Sequence, residues 1–274
     1  MTILTAALVQ LRTPATQAAA LAHAEPLVRE AAVAGAKLIA TPEATNILQR
    51  DRSKLFAAVR PLEEDECVAG LRALARELGV WILIGSALVR REDGQLANRS
   101  ALVGADGEVK ATYDKIHMFD VDLPTGERHR ESALYAPGER STVAETPWAK
   151  IGLSVCYDVR FAQLYRALAK AGAEILTVPA AFTRPTGEAH WEILLRARAI
   201  ETGAFVLAPA QGGFHEDGRG TWGRSTIVGP WGEILAKAED DEPGVVLADL
   251  DLDAVGKARA AIPALLNDRA FALP

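Results

Sequence analysis

Strand-like and helix-like stretches alternate from the first residues of the chain, and this alternation limits the possible folds more than any other feature. The apolar run ILTAALVQ (3–10) is followed by an alanine-rich helical stretch from Ala15 to Ala34, and AKLIATPEA (36–44) reads as a second buried strand closed by Pro42. In EEDECVAGLRALARELG (63–79) the residues Cys67, Leu71, Leu74 and Leu78 recur on one helical face, Gly79 supplies the stop, and VWILIGSAL (80–88) is the next strand. The order so far is β-α-β-α-β.

The pattern then changes to hairpins. RSALVGADGEVKATYDK (99–115) sets Asp106 and Gly107 between two alternating runs, STVAETPWAKIGLSVCYD (141–158) turns near Pro147, and GRSTIVGPWGEILAKA (223–238) turns between Gly229 and Gly232. Between the last two hairpins come a helix after Arg160, a strand AEILTVPAAF (173–182), a helix GEAHWEILLRARAIETG (187–203) and a strand AFVLAPAQ (204–211). Helices that alternate with strands, and hairpins that widen the same sheets, predict an α/β fold. Two mixed sheets face each other with helices outside. No Pro- or Ser-rich linker divides the sequence and no repeat is visible in it, so residues 1–274 are expected to form a single domain.

Composition narrows the partners. A formal charge of −6 with scattered Lys and Arg provides no basic stripe for nucleic acid or anionic lipid. The N-terminus has no positive charge ahead of its apolar run, and the longest uncharged apolar stretch, Val80 to Val89, is about half the roughly 20 residues of a membrane span. Two cysteines make a poor disulfide framework for 274 residues. These features predict a cytoplasmic protein whose partner is a small molecule or a second copy of itself.

Chemistry is expected at strand ends, where α/β folds place their ligands. Cys156 stands where a buried strand gives way to a turn, and the polar residues Tyr157, Asp158 and Arg160 follow it, surroundings that a merely packed thiol does not need. Cys67, in contrast, points into the core with Leu71 and Leu74. A cysteine nucleophile needs its proton removed, an oxyanion site and an acid for the leaving group. Glu43, just past the second strand, and Lys115, at the end of a hairpin strand, are the charged candidates.

The stretches TPEATN around Glu43, YDKIHMFDVD around Lys115 and GLSVCYDVRF around Cys156 resemble the motifs of the nitrilase superfamily of carbon-nitrogen hydrolases, in the same order and at similar separations. ESALYAPGE, PAAFTRPTGEAHWEILLRARAIET and GRSTIVGPWGEILA extend the likeness over nearly the whole chain. The resemblance implies an α-β-β-α sandwich and a dimer. It implies Glu43 as general base, Lys115 as the cation beside the tetrahedral oxyanion, Cys156 as the nucleophile that becomes a thioester, and the Tyr157 N–H in the oxyanion site. Glu131 matches a second carboxylate that positions Lys115 and substrate. No metal or other cofactor is called for.

Within the family, HMFDVDLPTGERHRES and APAQGGFHEDGRGTWGRS are most similar to the branch that hydrolyses deaminated glutathione to 2-oxoglutarate and cysteinylglycine. The sister branch, ω-amidases acting on 2-oxoglutaramate, is the alternative. Both substrates carry a 2-oxo acid carboxylate. Arg160 is the expected two-pronged clamp for it, with an ion pair to Asp158 as its structural alternative, and Phe182 and Thr186 are expected to wall the pocket. Two further readings compete. One is a cysteine-histidine hydrolase using His117, His190 or His215 as base, and the other is an inactive scaffold that binds without turnover.

Overall fold

The computed structural model describes residues 2–124 and 126–272. One six-stranded sheet runs in the spatial order Gly244–Asp251, Ile3–Gln10, Leu38–Ala40, Trp81–Arg90, Leu96–Val103, Val109–Asp114. The other runs Thr142–Glu145, Lys150–Leu153, Ile175–Thr177, Phe205–Ala208, Thr226–Val228, Ile234–Lys237. The helices Gln17–Val33 and Glu66–Leu78 pack on the first sheet, and Ala162–Lys170 and Arg184–Thr202 on the second. The result is the α-β-β-α sandwich expected from the alternation of elements.

The two sheets share one succession of pairings. Across the first it is antiparallel, parallel, parallel, antiparallel, antiparallel. The second repeats it in the order given. The halves therefore repeat one succession of pairings, although the sequence shows no repeat and the edge strands connect differently, because a layered core asks only for apolar residues on two strand faces and not for particular side chains. The strand Ile3–Gln10 illustrates this. Leu4, Ala6 and Leu8 join the core between the sheets, while Ala7 and Val9 join the core under the first pair of helices.

Helix ends follow the sequence signals. Asp65 accepts the Val68 N–H at 3.0 Å to open the helix Glu66–Leu78, and Gly79, at φ 64°, closes it in the left-handed region. The strand Gly244–Asp251 is not marked by the sequence pattern. It pairs along its whole length with Ile3–Gln10 and so joins the two ends of the chain in one sheet. Two short hairpins, Asp120–Asp122 with Arg128–Arg130 and Gly212–Phe214 with Gly220–Trp222, lie outside both sheets and rise beside the strand ends.

Candidate active site

Glu43, Lys115 and Cys156 follow the strands Leu38–Ala40, Val109–Asp114 and Lys150–Leu153, and the sandwich brings all three together on the floor of one pocket. Two of the turns that carry them are strained. Ala44 and Cys156 hold φ of 56° and 52°, in the left-handed region that non-glycine residues avoid. The surroundings fix both. The Ala44 N–H donates to Ser86 Oγ at 2.9 Å and Thr45 Oγ1 donates to the Pro42 carbonyl at 2.6 Å. The Cys156 N–H donates to the Pro179 carbonyl at 2.8 Å. Gly85 lies beneath, where a Cβ would fall 1.9 Å from the Thr41 carbonyl and 2.4 Å from Pro179 Cβ, so only glycine lets the two proline-bearing turns meet.

The cluster is charged and almost dry. Lys115, 2% exposed, places Nζ 3.0 Å from Glu43 Oε1 and 2.8 Å from Glu131 Oε2. Burial works against its charge, but the Glu131 and Glu43 carboxylates outweigh burial and push its pKa above that of a free lysine. Burial likewise pushes Glu43 up. The Lys115 charge, with hydrogen bonds from Cys156, Lys115 and Asn98, wins and holds Glu43 below its ordinary value. Burial and the neighbouring Glu43 carboxylate push the Cys156 thiol well up, against the pull of Lys115. At rest the site is thus a protonated thiol with a carboxylate and an ammonium as its neighbours, and a proton can leave sulfur without crossing solvent.

Glu131 is tied down by the Phe119 N–H at 2.6 Å and by both its oxygens on Lys115. Two residues that the sequence reading left out of the site complete the frame. Asn98 gives its two amide hydrogens to Glu43 Oε1 at 2.8 Å and Glu131 Oε1 at 3.3 Å, so one side chain spaces both carboxylates. Nothing in the sequence set it apart, since it is one of three successive polar residues, Asn98, Arg99 and Ser100, on an otherwise apolar strand. Asp158, fully buried, accepts from the Val155 N–H at 2.8 Å, Tyr113 Oη at 2.7 Å and the His117 N–H at 3.1 Å, and its Oδ1 lies 2.6 Å from His117 Nδ1. It fastens the turn of Cys156 to the segment that follows Lys115. The Ala181 N–H completes Glu43 at Oε2, 2.8 Å away.

The pocket above encloses about 580 Å³, within the range of small-molecule sites, and Tyr157, Phe182 and Thr186 line it as expected. Arg160 does not line it. Its guanidinium lies 5.8 Å from the Tyr157 ring centroid and 5.5 Å from that of Phe182, with His190 Nδ1 at 3.3 Å. The ion pair of Arg160 with Asp158 is not formed, since Asp158 turns inward to Tyr113 and His117. The histidine-base reading also fails. None of the three lines the pocket that holds Cys156: His117 is bound to Asp158 and stacks on Phe161 at 3.5 Å, His190 meets Arg160, and His215 lies buried between Thr13 and Thr221. Burial lowers the His215 pKa to about 4.

Comparison with known proteins agrees with this geometry. The carbon-nitrogen hydrolase family profile matches residues 5–260. The chain is 47% identical over 213 residues to a deaminated glutathione amidase from Yersinia enterocolitica, covering 75% of this chain and 73% of that one. It is 36% identical over 269 residues to the omega-amidase NIT2 of Homo sapiens, covering 98% and 96%. Among solved structures, the NitFhit protein of C. elegans superposes with a TM-score of 0.90 at 30% identity; the match covers 97% of this chain and 65% of that longer one.

Proposed function

Because the chain belongs to the carbon-nitrogen hydrolase family and is an amide-hydrolysing enzyme, we propose that it cleaves deaminated glutathione to 2-oxoglutarate and cysteinylglycine through a thioester on Cys156. The observation that carries the reading is that one pocket gathers the Cys156 thiol, Glu43 and Lys115, with Glu43 held by Lys115 and Asn98. Glu43 takes the thiol proton as sulfur attacks the amide carbon. The resulting oxyanion is met by Lys115 Nζ and the Tyr157 N–H, in a site where fixed charges act at low dielectric. Glu43 returns the proton to the departing nitrogen, the C–N bond breaks and the acyl group stays on sulfur. Water, deprotonated by the same carboxylate, then attacks the thioester. The second intermediate collapses with Glu43 protonating the leaving thiolate, so one base serves both halves. Glu131 keeps Lys115 aligned.

In this reading Phe182 and Thr186 wall the acyl side and Arg160 draws the 2-oxo acid carboxylate across the rim. Omega-amidase activity on 2-oxoglutaramate is the second reading, favoured by the likeness to the human omega-amidase along nearly the whole chain. Intact-mass spectrometry during turnover of a slow substrate should find one acyl group on the peptide that contains Cys156. Parallel kcat/KM values should favour deaminated glutathione over 2-oxoglutaramate, and the reverse order would transfer the assignment to the omega-amidase reading.

No helix among the described residues is long and apolar enough to cross a membrane. The proposed setting is the reducing cytoplasm, which keeps a nucleophilic thiol free. A homodimer is proposed as well. Ile193, Ile200 and Trp231 are 70%, 54% and 59% exposed beside an apolar groove, a face that a second copy would cover. Light scattering on the purified chain should give twice the mass of one copy.

A further inference from the structure

Deaminated glutathione carries two carboxylates, one on the acyl side and one at the end of its cysteinylglycine leaving group, and both need a cation if they enter the pocket. Most of the lining cations are already engaged. Lys115 is held by two glutamates, and Arg130 makes a two-pronged pair with Asp122 and also donates to two backbone carbonyls. Arg219 differs. It stands in the turn of the hairpin Gly212–Phe214/Gly220–Trp222, which is docked on the rest of the site through the Thr183–Thr221 bridge and the Trp222 N–H to the Phe182 carbonyl. Its Nη2 lies 2.8 Å from Asp217 Oδ2, and among the described residues neither that buried oxygen nor the buried Arg219 Nε–H has a hydrogen-bond partner. A buried donor without a partner is uncommon in a finished core, and in a ligand site it marks where an acceptor belongs.

The neighbourhood of Arg219 is also distinct from that of Arg160. Arg160 contacts Tyr157, Phe182 and His190, whereas the Arg219 charge acts on Tyr135, whose phenol burial keeps protonated well above its ordinary range. A second guanidinium, Arg50, lines the same pocket and is exposed, and the nearby His215 adds no charge, since burial holds it neutral above about pH 4. From the scissile nitrogen a cysteinylglycine extends about 7 Å to its carboxylate, so a cation on a pocket wall, and not on the floor, is where that group would arrive.

We propose that Arg219, aided by Arg50 and the Tyr135 hydroxyl, is a specificity-determining residue that binds the terminal carboxylate of a dipeptide leaving group. The proposal rests on the deaminated-glutathione reading. A guanidinium takes a carboxylate by two parallel hydrogen bonds, and an ammonium in its place keeps the charge but loses the fork.

The test uses the wild type, Arg219→Met and Arg219→Lys with three probes: deaminated glutathione, its glycinamide analogue, and 2-oxoglutaramate, whose leaving group is ammonia. Arg219→Met should lower kcat/KM for deaminated glutathione about tenfold or more, chiefly through KM, with Arg219→Lys intermediate. Its loss on the glycinamide analogue and on 2-oxoglutaramate should be several-fold smaller, and the wild type should discriminate against the glycinamide. Equal losses on all three would mean that Arg219 binds the acyl-side carboxylate or only supports the hairpin, and no loss on deaminated glutathione would mean that it binds nothing there. Either result overturns the proposal. A fourth measurement separates it from the functional reading: cysteinylglycine should inhibit 2-oxoglutaramate hydrolysis competitively in the wild type and about tenfold less strongly in Arg219→Met. If the wild type ignored deaminated glutathione yet showed that inhibition, the proposed function would fall and the carboxylate site would stand. If the inhibition were the same in wild type and variant, the site would fall.

Discussion

The helix layer around Cys67 and the pocket floor around Cys156 hold the same side chain at nearly the same burial, 0% and 7% exposed. Burial is also the leading influence on both thiols, and it pushes both upward in pKa. What separates them is everything else. Cys67 lies on the inner face of the helix Glu66–Leu78, with its sulfur 3.9 Å from the Thr45 carbonyl, and no cation acts on it. Cys156 sits on a strained backbone, is acted on by a buried carboxylate and an ammonium, and opens onto a pocket. Reactivity in this fold therefore comes from a proton acceptor, a cation and access. A low resting thiol pKa is not part of it.

The largest effect should come from the sulfur itself. Cys156→Ser should lower kcat/KM by roughly 10³-fold or more while leaving the melting curve close to wild type, since a hydroxyl is a far weaker nucleophile at this site. Near-normal turnover by this variant would show that water attacks directly and would erase the distinction between the two thiols. Glu43→Gln comes next. It keeps the shape and can still accept a hydrogen bond, but it cannot take the proton, and roughly 10²- to 10⁴-fold of rate should disappear from both thioester formation and its breakdown. Stopped-flow measurement of each half-reaction would separate this outcome from a defect in one step only.

Lys115→Met should cost about 10²- to 10³-fold in kcat by removing the cation that the proposed mechanism sets against the oxyanion. It carries a second signature in pH. With Lys115 present, Glu43 stays ionised to below its ordinary range, so the kcat/KM profile should be level through neutral pH and fall only on the acid side. Without Lys115, burial is no longer opposed by that charge, the Glu43 pKa rises, and the acid limb should move to higher pH. The same sign holds for stability. A carboxylate depressed in the folded state contributes stability above its unfolded pKa, and this is lost as pH falls through the folded value. An unmoved acid limb in Lys115→Met would assign it to a group other than Glu43.

The strand and helix alternation was legible because each element obeys its own period, and Glu43, Lys115 and Cys156 could be put forward as candidates because each lies within three residues of a strand end and in a stretch that resembles the family's motifs. Asn98 was not legible, since nothing in LANRSAL states that its amide faces two carboxylates borne by distant segments. The place of Asp158 was not legible either, and the structural alternative offered for Arg160 does not hold. Sequence adjacency suggested Arg160 as its partner, but a turn that lifts Cys156 into the pocket sends the next carboxylate inward, where Tyr113 and His117 await it. The succession of pairings shared by the two sheets was hidden for a related reason, because it is a property of space and leaves no mark on residue identity.

The smallest effect is expected at Cys67, and it tests the comparison from the other side. Cys67→Ser places a hydroxyl in a layer formed by Val68, Leu71 and Leu74, where the Thr45 carbonyl is the acceptor 3.9 Å from the present sulfur. Burying the more polar group should cost about 1–3 kcal/mol of stability, with kcat/KM unchanged at a temperature where the variant is folded. Cys67→Ala keeps the site apolar and should cost less. Iodoacetamide offers an independent measurement on the unaltered chain. One thiol should react, with loss of activity in step with labelling, and a 2-oxo acid bound in the pocket should slow it. The second thiol should become reactive only as denaturant opens the helix layer, because burial keeps Cys67 both protonated and covered. Labelling of Cys67 at a rate comparable to Cys156 under native conditions would mean that the helix Glu66–Leu78 opens readily, and burial could then no longer explain why one thiol is silent.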